Sequence, residues 1–213
     1  MKEGRFKSLW DRCANSNAAD RGAEIYGQLK AHYMEPNRRY HTPVHIAHCL
    51  NQFDFARGQM DEPDAVEMAI WFHDVIYNAK AADNELKSAE LFTELSGSDV
   101  SAEFNSKVRD LIMVTIHRHL PETRDEKFVV DIDLSSFGLP WDRFLKDSDG
   151  VRDEFPHLSD QEFYPVQKIF LDSLLSRKTF CFTKFFRDRH EDTARDNISK
   201  YIDKLKQRGL IEN

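Results

Sequence analysis

Long apolar runs, glycine and proline are scarce in this sequence of 213 residues, which holds only 8 Gly and 7 Pro. No segment approaches the roughly 18 to 20 consecutive apolar residues that a membrane-spanning helix needs, so we expect no membrane partner. Residues 1–17 alternate charged with apolar side chains and lack the apolar stretch of a signal peptide. We therefore expect that the chain is not exported.

Cysteine is also rare. Cys13, Cys49 and Cys181 lie far apart and form no Cys-x-x-Cys pair. An odd number without that spacing favours free thiols in a reducing compartment over a disulfide framework or a cysteine-based zinc site. We expect a cytoplasmic protein.

Positive charge is deficient, since 30 Lys and Arg against 37 Asp and Glu leave a formal net charge of −7. That balance argues against a nucleic-acid polymer or an anionic membrane as partner. A base-stacking surface in the Phe-rich segment 180–186 is the weaker alternative, and the core is the simpler place for these rings. Aromatic residues form 12% of the chain, too many for a disordered protein.

Apolar residues recur with a helical period, and strand-like alternation is almost absent, so we predict an all-α fold. The length suits one domain over 1–213 with its core over about 20–205. The segment 128–140 is either a short strand or a buried helical turn, and the helical context favours the turn. The predicted helices are 20–34, 43–56, 63–77, 84–95, 99–119, 141–154, 160–176 and 187–208.

The predicted helix 63–77 is apolar nearly all round, which places it in the core. It nevertheless contains His73 and Asp74. An ionised aspartate in such a helix is costly unless it is paired or binds a cation. A buried polar network that holds helices together is the alternative to a metal site.

Two further segments carry polar groups that suit a metal ion. Thr42 followed by Pro43 resembles a helix N-cap, which puts His45 on the first turn and His41 just before it. Downstream, Asp131 and Asp133 occupy a mostly apolar segment. Histidine and aspartate around one point would form a mixed nitrogen and oxygen site for a divalent transition metal or Mg²⁺.

This ordered set resembles the H…HD…D signature of the HD-domain superfamily of metal-dependent phosphohydrolases. It is most similar to a small bacterial branch of predicted phosphohydrolases, over about residues 20 to 205, and the resemblance implies an HD-type helical bundle. The matching segments are Arg39-Tyr40-His41-Thr42, His45-Ile46, Ala69 to Tyr77, Asn84-Glu85, Ser88-Ala89, Thr115, His117, Asp131 to Leu134, and Phe137-Gly138.

The resemblance implies that His45, His73 and Asp74 bind one or two divalent ions, with Asp74 as the bridge if two bind. The last ligand is Asp133, which we prefer, or Asp131. Mn, Fe, Co, Ni, Zn and Mg all suit such a ligand set.

The resemblance also implies helper residues. His41 corresponds to the histidine that protonates the leaving group in cyclic-nucleotide phosphodiesterases, although Thr42 replaces the asparagine of that motif. Glu85 and His117 would support the ligands, position water, contact substrate or bind a second metal ion. Arg38 or Arg39 would hold a substrate phosphate, the alternative being a solvated charge pair.

The implied function is a metal-dependent phosphohydrolase that acts on a small phosphorylated molecule, with nucleotides among the candidates. The alternative is a metal-containing binding or regulatory protein with little turnover. The sequence leaves the oligomeric state open, with a homodimer among the options.

Overall fold

The computed structural model describes residues 2–15 and 21–212. Over these ranges the chain forms ten α-helices and no strand, which confirms the prediction of an all-α fold. The helices are α1 Glu3–Cys13, α2 Gly22–Tyr33, α3 Pro43–Ala56, α4 Pro63–Phe72, α5 Asn84–Ser96, α6 Ala102–Met113, α7 Arg124–Asp133, α8 Trp141–Asp153, α9 Asp160–Leu175 and α10 Lys184–Gln207.

Most predicted helices are observed within a few residues of their expected bounds. Helix α1 has no counterpart among them, and the predicted start at residue 20 lies outside the described residues. The chain divides into two compact units, Met1–Asp133 and Leu134–Asn213. The single domain expected over 1–213 stays a prediction.

In the first unit, α4 is the central helix. Every residue from Ala65 to Phe72 is buried, as its apolar sequence predicted, and α4 packs against α1, α3, α6 and α7. The one acidic side chain in that stretch, Glu67, accepts a hydrogen bond of 2.6 Å from Nε of Arg5. A buried carboxylate in α4 is thus paired with a cation, as burial requires.

Helix α4 is shorter than predicted, because it ends at Phe72 instead of residue 77. His73 follows as the C-cap, and the backbone N–H of Val75 donates to the Phe72 carbonyl in a tighter turn. The carbonyls of Asp74 and Val75 accept hydrogen bonds from the guanidinium of Arg38. His73 and Asp74 therefore lie at the end of a core helix and not along it.

The segment 128–140 is helical, as preferred over the strand alternative. Helix α7 ends at Asp133, and a 3-10 helix, Leu134–Gly138, begins the second unit. There the side-chain amide of Asn197 donates to the carbonyls of Phe137 and Leu139, both at 2.8 Å. A Cβ at Gly138 would lie 2.6 Å from Cβ of His190, so only glycine fits beside α10.

The second unit also contains the Phe-rich segment near the start of α10. Phe180 and Phe186 are buried, as the assignment of these rings to the core predicted, whereas Phe182 and Phe185 are only part-buried. Within the part of the chain that the structure describes, no helix has both the length and the apolar character required to cross a bilayer.

Candidate metal centre

The N-terminus of α3 carries two of the predicted site residues. The side chain of Thr42 accepts a hydrogen bond of 3.3 Å from the backbone N–H of Val44, and Pro43 occupies the first helical position. This is the predicted N-cap. It places His45 on the first turn, where it is buried, and His41 immediately before the helix.

The C-terminal end of α4 carries the next pair, His73 and Asp74. Nδ1 of His73 lies 2.9 Å from the carbonyl oxygen of Ile70. A carbonyl oxygen only accepts hydrogen bonds, so Nδ1 carries the hydrogen and Nε2 of the neutral ring offers a lone pair. Metal-binding histidines have this kind of backbone support, which sets both the tautomer and the orientation of the ring.

All four predicted ligands converge in the first unit. Nε2 of His45 lies 3.2 Å from Nε2 of His73. Oδ2 of Asp74 lies 3.4 Å from Nε2 of His45 and 3.1 Å from Nε2 of His73. Oδ1 of Asp133 lies 3.3 Å and 3.5 Å from the same two nitrogens.

Asp133, and not the alternative Asp131, is the aspartate of α7 that meets the two imidazoles. Both belong to the last turn of the helix, but a separation of two residues turns the side chain by about 200° around the helix axis. Asp131 is itself buried. Both positions lie in the same mostly apolar segment, which explains why the sequence pattern did not separate them.

The convergence of hydrogen-bond acceptors shows that these residues fit a cation. Carboxylate oxygens only accept, and the neutral His73 ring also presents a lone pair to the cluster. Such groups repel one another unless protons or a metal ion lie between them. Atoms bound about 2.0–2.2 Å from one divalent ion are roughly 2.8–3.6 Å apart, a range that includes all five observed separations. The buried cluster can therefore hold a metal ion.

The chain matches no protein-family model, no curated protein and no solved structure. The assignment of a metal site consequently depends on the geometry of its own residues.

In the metal-free protein, protons on the imidazoles supply the positive charge that the two carboxylates require. Burial opposes the charge of His73, but the charge of Asp74 and hydrogen bonds to both aspartates raise its pKa well above the ordinary value. Burial also opposes the charge of Asp133, while hydrogen bonds from three imidazoles hold its pKa well below the ordinary value. The pKa of His45 is raised and that of Asp74 is lowered by a similar balance of burial against neighbouring charges and hydrogen bonds.

Cys49 is the member of the cluster that sequence reasoning missed. It lies one helical turn after His45, and its Sγ falls within 4.8 Å of ligand atoms of His45, His73 and Asp133, a group that does not include Asp74. Sγ is 3.6 Å from Nε2 and 3.9 Å from Nδ1 of His45. An atom in line with the Nε2 lone pair would lie much farther from Nδ1 than from Nε2. Because the two distances are nearly equal, the thiol packs against the side of the ring. The i, i+4 spacing from His45 was the signal that could have found it.

His117 supports Asp133 from a strained backbone. Its Nε2 lies 2.9 Å from Oδ2 of Asp133, the oxygen that faces away from the other two imidazoles. His117 has a φ of 59°, and no other non-glycine residue in the described ranges has a positive φ. Strain of this kind is concentrated at functional sites. The left-handed backbone of His117 also ends the helical segment before residue 119, where the predicted helix ends.

Glu85 lies on the first turn of α5 and is part-buried. Burial raises its pKa, and the charges of Asp74 and Asp133 act in the same direction. The carboxylate of Glu85 is therefore within electrostatic reach of the cluster. Its roles in supporting ligands or positioning water stay predictions.

His41 lies at the edge of the cluster among aromatic rings. Its ring stacks on Tyr77 with a centroid distance of 4.2 Å, and it meets Tyr40 edge-on at 4.9 Å. The His41 and His45 ring centroids are 6.0 Å apart. The side chain is thus close to the candidate ligands and partly open to solvent.

Arg38 and Arg39, the two arginines predicted to bind phosphate, differ in their exposure to solvent. Arg38 has no exposed side-chain area, and its guanidinium donates to the backbone carbonyls of His41, Asp74 and Val75. It does not face a substrate, so a phosphate contact from Arg38 does not fit the structure. Arg39 is exposed and donates to the carbonyls of Pro36 and Arg38. Its contact with a substrate stays a prediction.

Proposed function

We propose that this protein is a metal-dependent phosphohydrolase of the HD type, acting on a small phosphorylated molecule such as a nucleotide. The observation that carries the proposal is the meeting of two buried imidazoles with the carboxylates of Asp74 and Asp133. The ordered HD-like motifs along the chain support the same class.

Each residue would have a distinct task. His45, His73, Asp74 and Asp133 would hold a divalent ion. When bound, such an ion supplies a nucleophile from water near neutral pH and offsets negative charge on the phosphoryl group. Burial of the imidazoles keeps their nitrogens from competing water, and the Ile70 carbonyl keeps the His73 ring in the required tautomer.

His41 would protonate the leaving oxygen. It is near the cluster, and its stacking on Tyr77 restricts the orientation of the ring. General acid catalysis of this kind contributes about 10² to 10⁴ in rate. Arg39 and His117 are the proposed substrate contacts, with Glu85 supporting the site.

The test uses purified protein loaded with Mn²⁺ and a panel of nucleotides and phosphate esters. We expect hydrolysis by the wild type and its loss in His73→Ala and Asp74→Ala. His119→Ala, an exposed histidine in the same chain, is the matched control and should keep full activity. Hydrolysis that survives both cluster variants would contradict the proposal.

The role of His41 has its own test. In His41→Ala, hydrolysis of an alkyl phosphate should fall far more than hydrolysis of p-nitrophenyl phosphate, because p-nitrophenolate leaves without a proton. An equal decrease for both substrates would contradict the role of His41 as the acid.

A metal-containing binding or regulatory protein is the second candidate. It is favoured by the commitment of Arg38 to backbone carbonyls, which leaves one arginine fewer for phosphate than the sequence suggested. Metal binding without turnover of any phosphate ester would support this candidate over the enzyme.

A further inference from the structure

Arg38 joins two segments that carry the candidate metal ligands. Nη1 donates to the carbonyls of His41 at 3.1 Å and Asp74 at 2.6 Å, and Nη2 donates to Val75 at 2.7 Å. Nε lies 3.3 Å from a carboxylate oxygen of Glu35. The guanidinium therefore bridges the chain before α3 and the turn after α4.

The end of α4 requires such a donor. The last carbonyls of a helix have no partner within it, and they form the negative end of the helix dipole. Here the hydroxyl of Tyr33 donates to the Trp71 carbonyl at 3.0 Å, and Arg38 satisfies two carbonyls beyond it.

Aromatic rings hold the guanidinium in place. Its central carbon lies 5.2 Å from the ring centroid of Tyr33 and 5.6 Å from that of Tyr77. Tyr77 in turn stacks on His41. Arg38 consequently contacts both the backbone of His41 and the ring against which its imidazole rests.

We propose that Arg38 is a positioning residue that fixes His41 and the His73–Asp74 pair relative to one another, and that it thereby sets metal affinity without touching substrate. The part of this inference that concerns His41 rests on the proposed phosphohydrolase function. The part that concerns metal affinity rests on the cluster geometry alone.

Lysine cannot replace Arg38 in this role. The planar guanidinium reaches three carbonyls in one orientation, whereas an ammonium is a compact charge without that fork. Loss of groups that orient metal ligands typically weakens metal affinity about 10- to 100-fold. We expect a weakening in that range for Arg38→Lys.

Arg195 in the second unit offers a matched control. Its Nη1 and Nη2 donate to the carbonyls of Leu175 and Arg177 at the end of α9, at 3.0 Å and 2.8 Å, and its Nε pairs with Glu191. Arg195 therefore resembles Arg38 in donating to backbone carbonyls at or just beyond the end of a helix, but among the described residues no candidate metal ligand lies there.

The experiment compares wild type, Arg38→Lys and Arg195→Lys by calorimetric titration with Mn²⁺, by the visible spectrum at saturating Co²⁺, and by thermal denaturation without metal. We expect both variants to lower the Tm, and only Arg38→Lys to weaken the Mn²⁺ Kd and change the Co²⁺ spectrum. If Arg38→Lys does not fold, Arg38→Gln provides a second loss of the same contacts without a buried charge, with the same expected direction.

Each outcome is decisive. An Mn²⁺ Kd and a Co²⁺ spectrum that are unchanged in the Arg38 variants, or equally changed in Arg195→Lys, would overturn the role of Arg38. Neither measurement needs turnover, so a protein that binds metal but hydrolyses nothing would refute only the proposed function. A wild-type protein that binds neither ion would overturn both.

Discussion

Each end of α7 carries an aspartate, Asp125 fully buried and Asp133 part-buried, and the partners of the two carboxylates differ in kind. Asp125, on the first turn, accepts hydrogen bonds from the backbone N–H groups of Asp61 at 2.8 Å and Glu62 at 3.0 Å. Nζ of Lys107 lies 3.5 Å from the same carboxylate. Asp133, the last residue of the helix, instead meets the imidazoles of three histidines.

The dipole of α7 stabilises a negative charge at Asp125 and destabilises one at Asp133. A carboxylate at a helix N-terminus is stabilised by the dipole, and one at the C-terminus is destabilised. The donors around Asp125 are permanent, since backbone N–H groups and lysine keep their hydrogens at neutral pH. The imidazoles around Asp133 donate only while they hold protons. A buried carboxylate is therefore not by itself evidence for a metal site. A carboxylate that lies among imidazole nitrogens, which offer lone pairs once they lose their protons, is such evidence.

The largest expected difference between the two aspartates is in metal affinity. Asp133→Asn should weaken the Mn²⁺ Kd by at least about 100-fold, beyond the range observed for residues that only support ligands. Asp125→Asn should leave the Kd unchanged, because its partners are a lysine and two backbone groups. Calorimetric titration measures both. Comparable Kd values for the two variants would remove the distinction between the ends of α7.

The stability of the metal-free protein should show the opposite order. In Asp125→Asn, one side-chain oxygen is replaced by an NH₂ group that faces a backbone donor, and a buried donor left without a partner costs about 1–3 kcal/mol. In Asp133→Asn, the loss should be smaller at a pH high enough to deprotonate the imidazoles, since one of several crowded acceptors then becomes neutral. Urea denaturation in the presence of a chelator checks this order, and a greater loss in Asp133→Asn would contradict it.

The Asp133 end should also make stability depend on pH. The pKa of Asp133 is lowered, so its contribution is present above the ordinary value of 3.8 and is lost as pH falls through its folded value. The pKa of His73 is raised, so its contribution is present below 6.5 and is lost as pH rises through its folded value. In the metal-free protein the cluster should therefore stabilise the fold most between 3.8 and 6.5.

Metal ions compete with the imidazole protons, so the rise in Tm caused by Mn²⁺ should grow as pH increases above 6.5. Differential scanning calorimetry with Mn²⁺ or a chelator, at pH values below and above 6.5, measures this rise. Asp125→Asn should keep the trend and Asp133→Asn should lose it. A rise that is independent of pH would be inconsistent with protonated imidazoles in the metal-free cluster.

The smallest effect concerns the backbone of His117. Both His117→Ala and His117→Gly remove the imidazole that contacts Asp133, but only alanine retains a steric cost at a φ of 59°. We expect His117→Gly to be about 1 kcal/mol more stable than His117→Ala in urea denaturation. The two variants should share the same Mn²⁺ Kd, and equal stabilities would mean that His117 is not strained.

Sequence patterns were most reliable where local interactions dominate. Helical periodicity predicted the all-α fold, and Thr42-Pro43 predicted the start of α3, because a cap depends on residues adjacent in the chain. The motif resemblance also selected His45, His73, Asp74 and Asp133, which the fold brings together. Patterns were less reliable at the end of α4, since apolar residues continue to Tyr77 while the helix stops at Phe72.

Taken by itself, the sequence determined the helical class and the N-cap of α3, because both follow from short-range spacing and residue type, and its motif resemblance supplied the candidate ligands. Only the tertiary structure decided that Asp133 and not Asp131 meets the histidines, and that Arg38 bonds the turn after α4. Those choices depend on which helix faces come together, and contacts between segments more than 30 residues apart cannot be inferred from local periodicity.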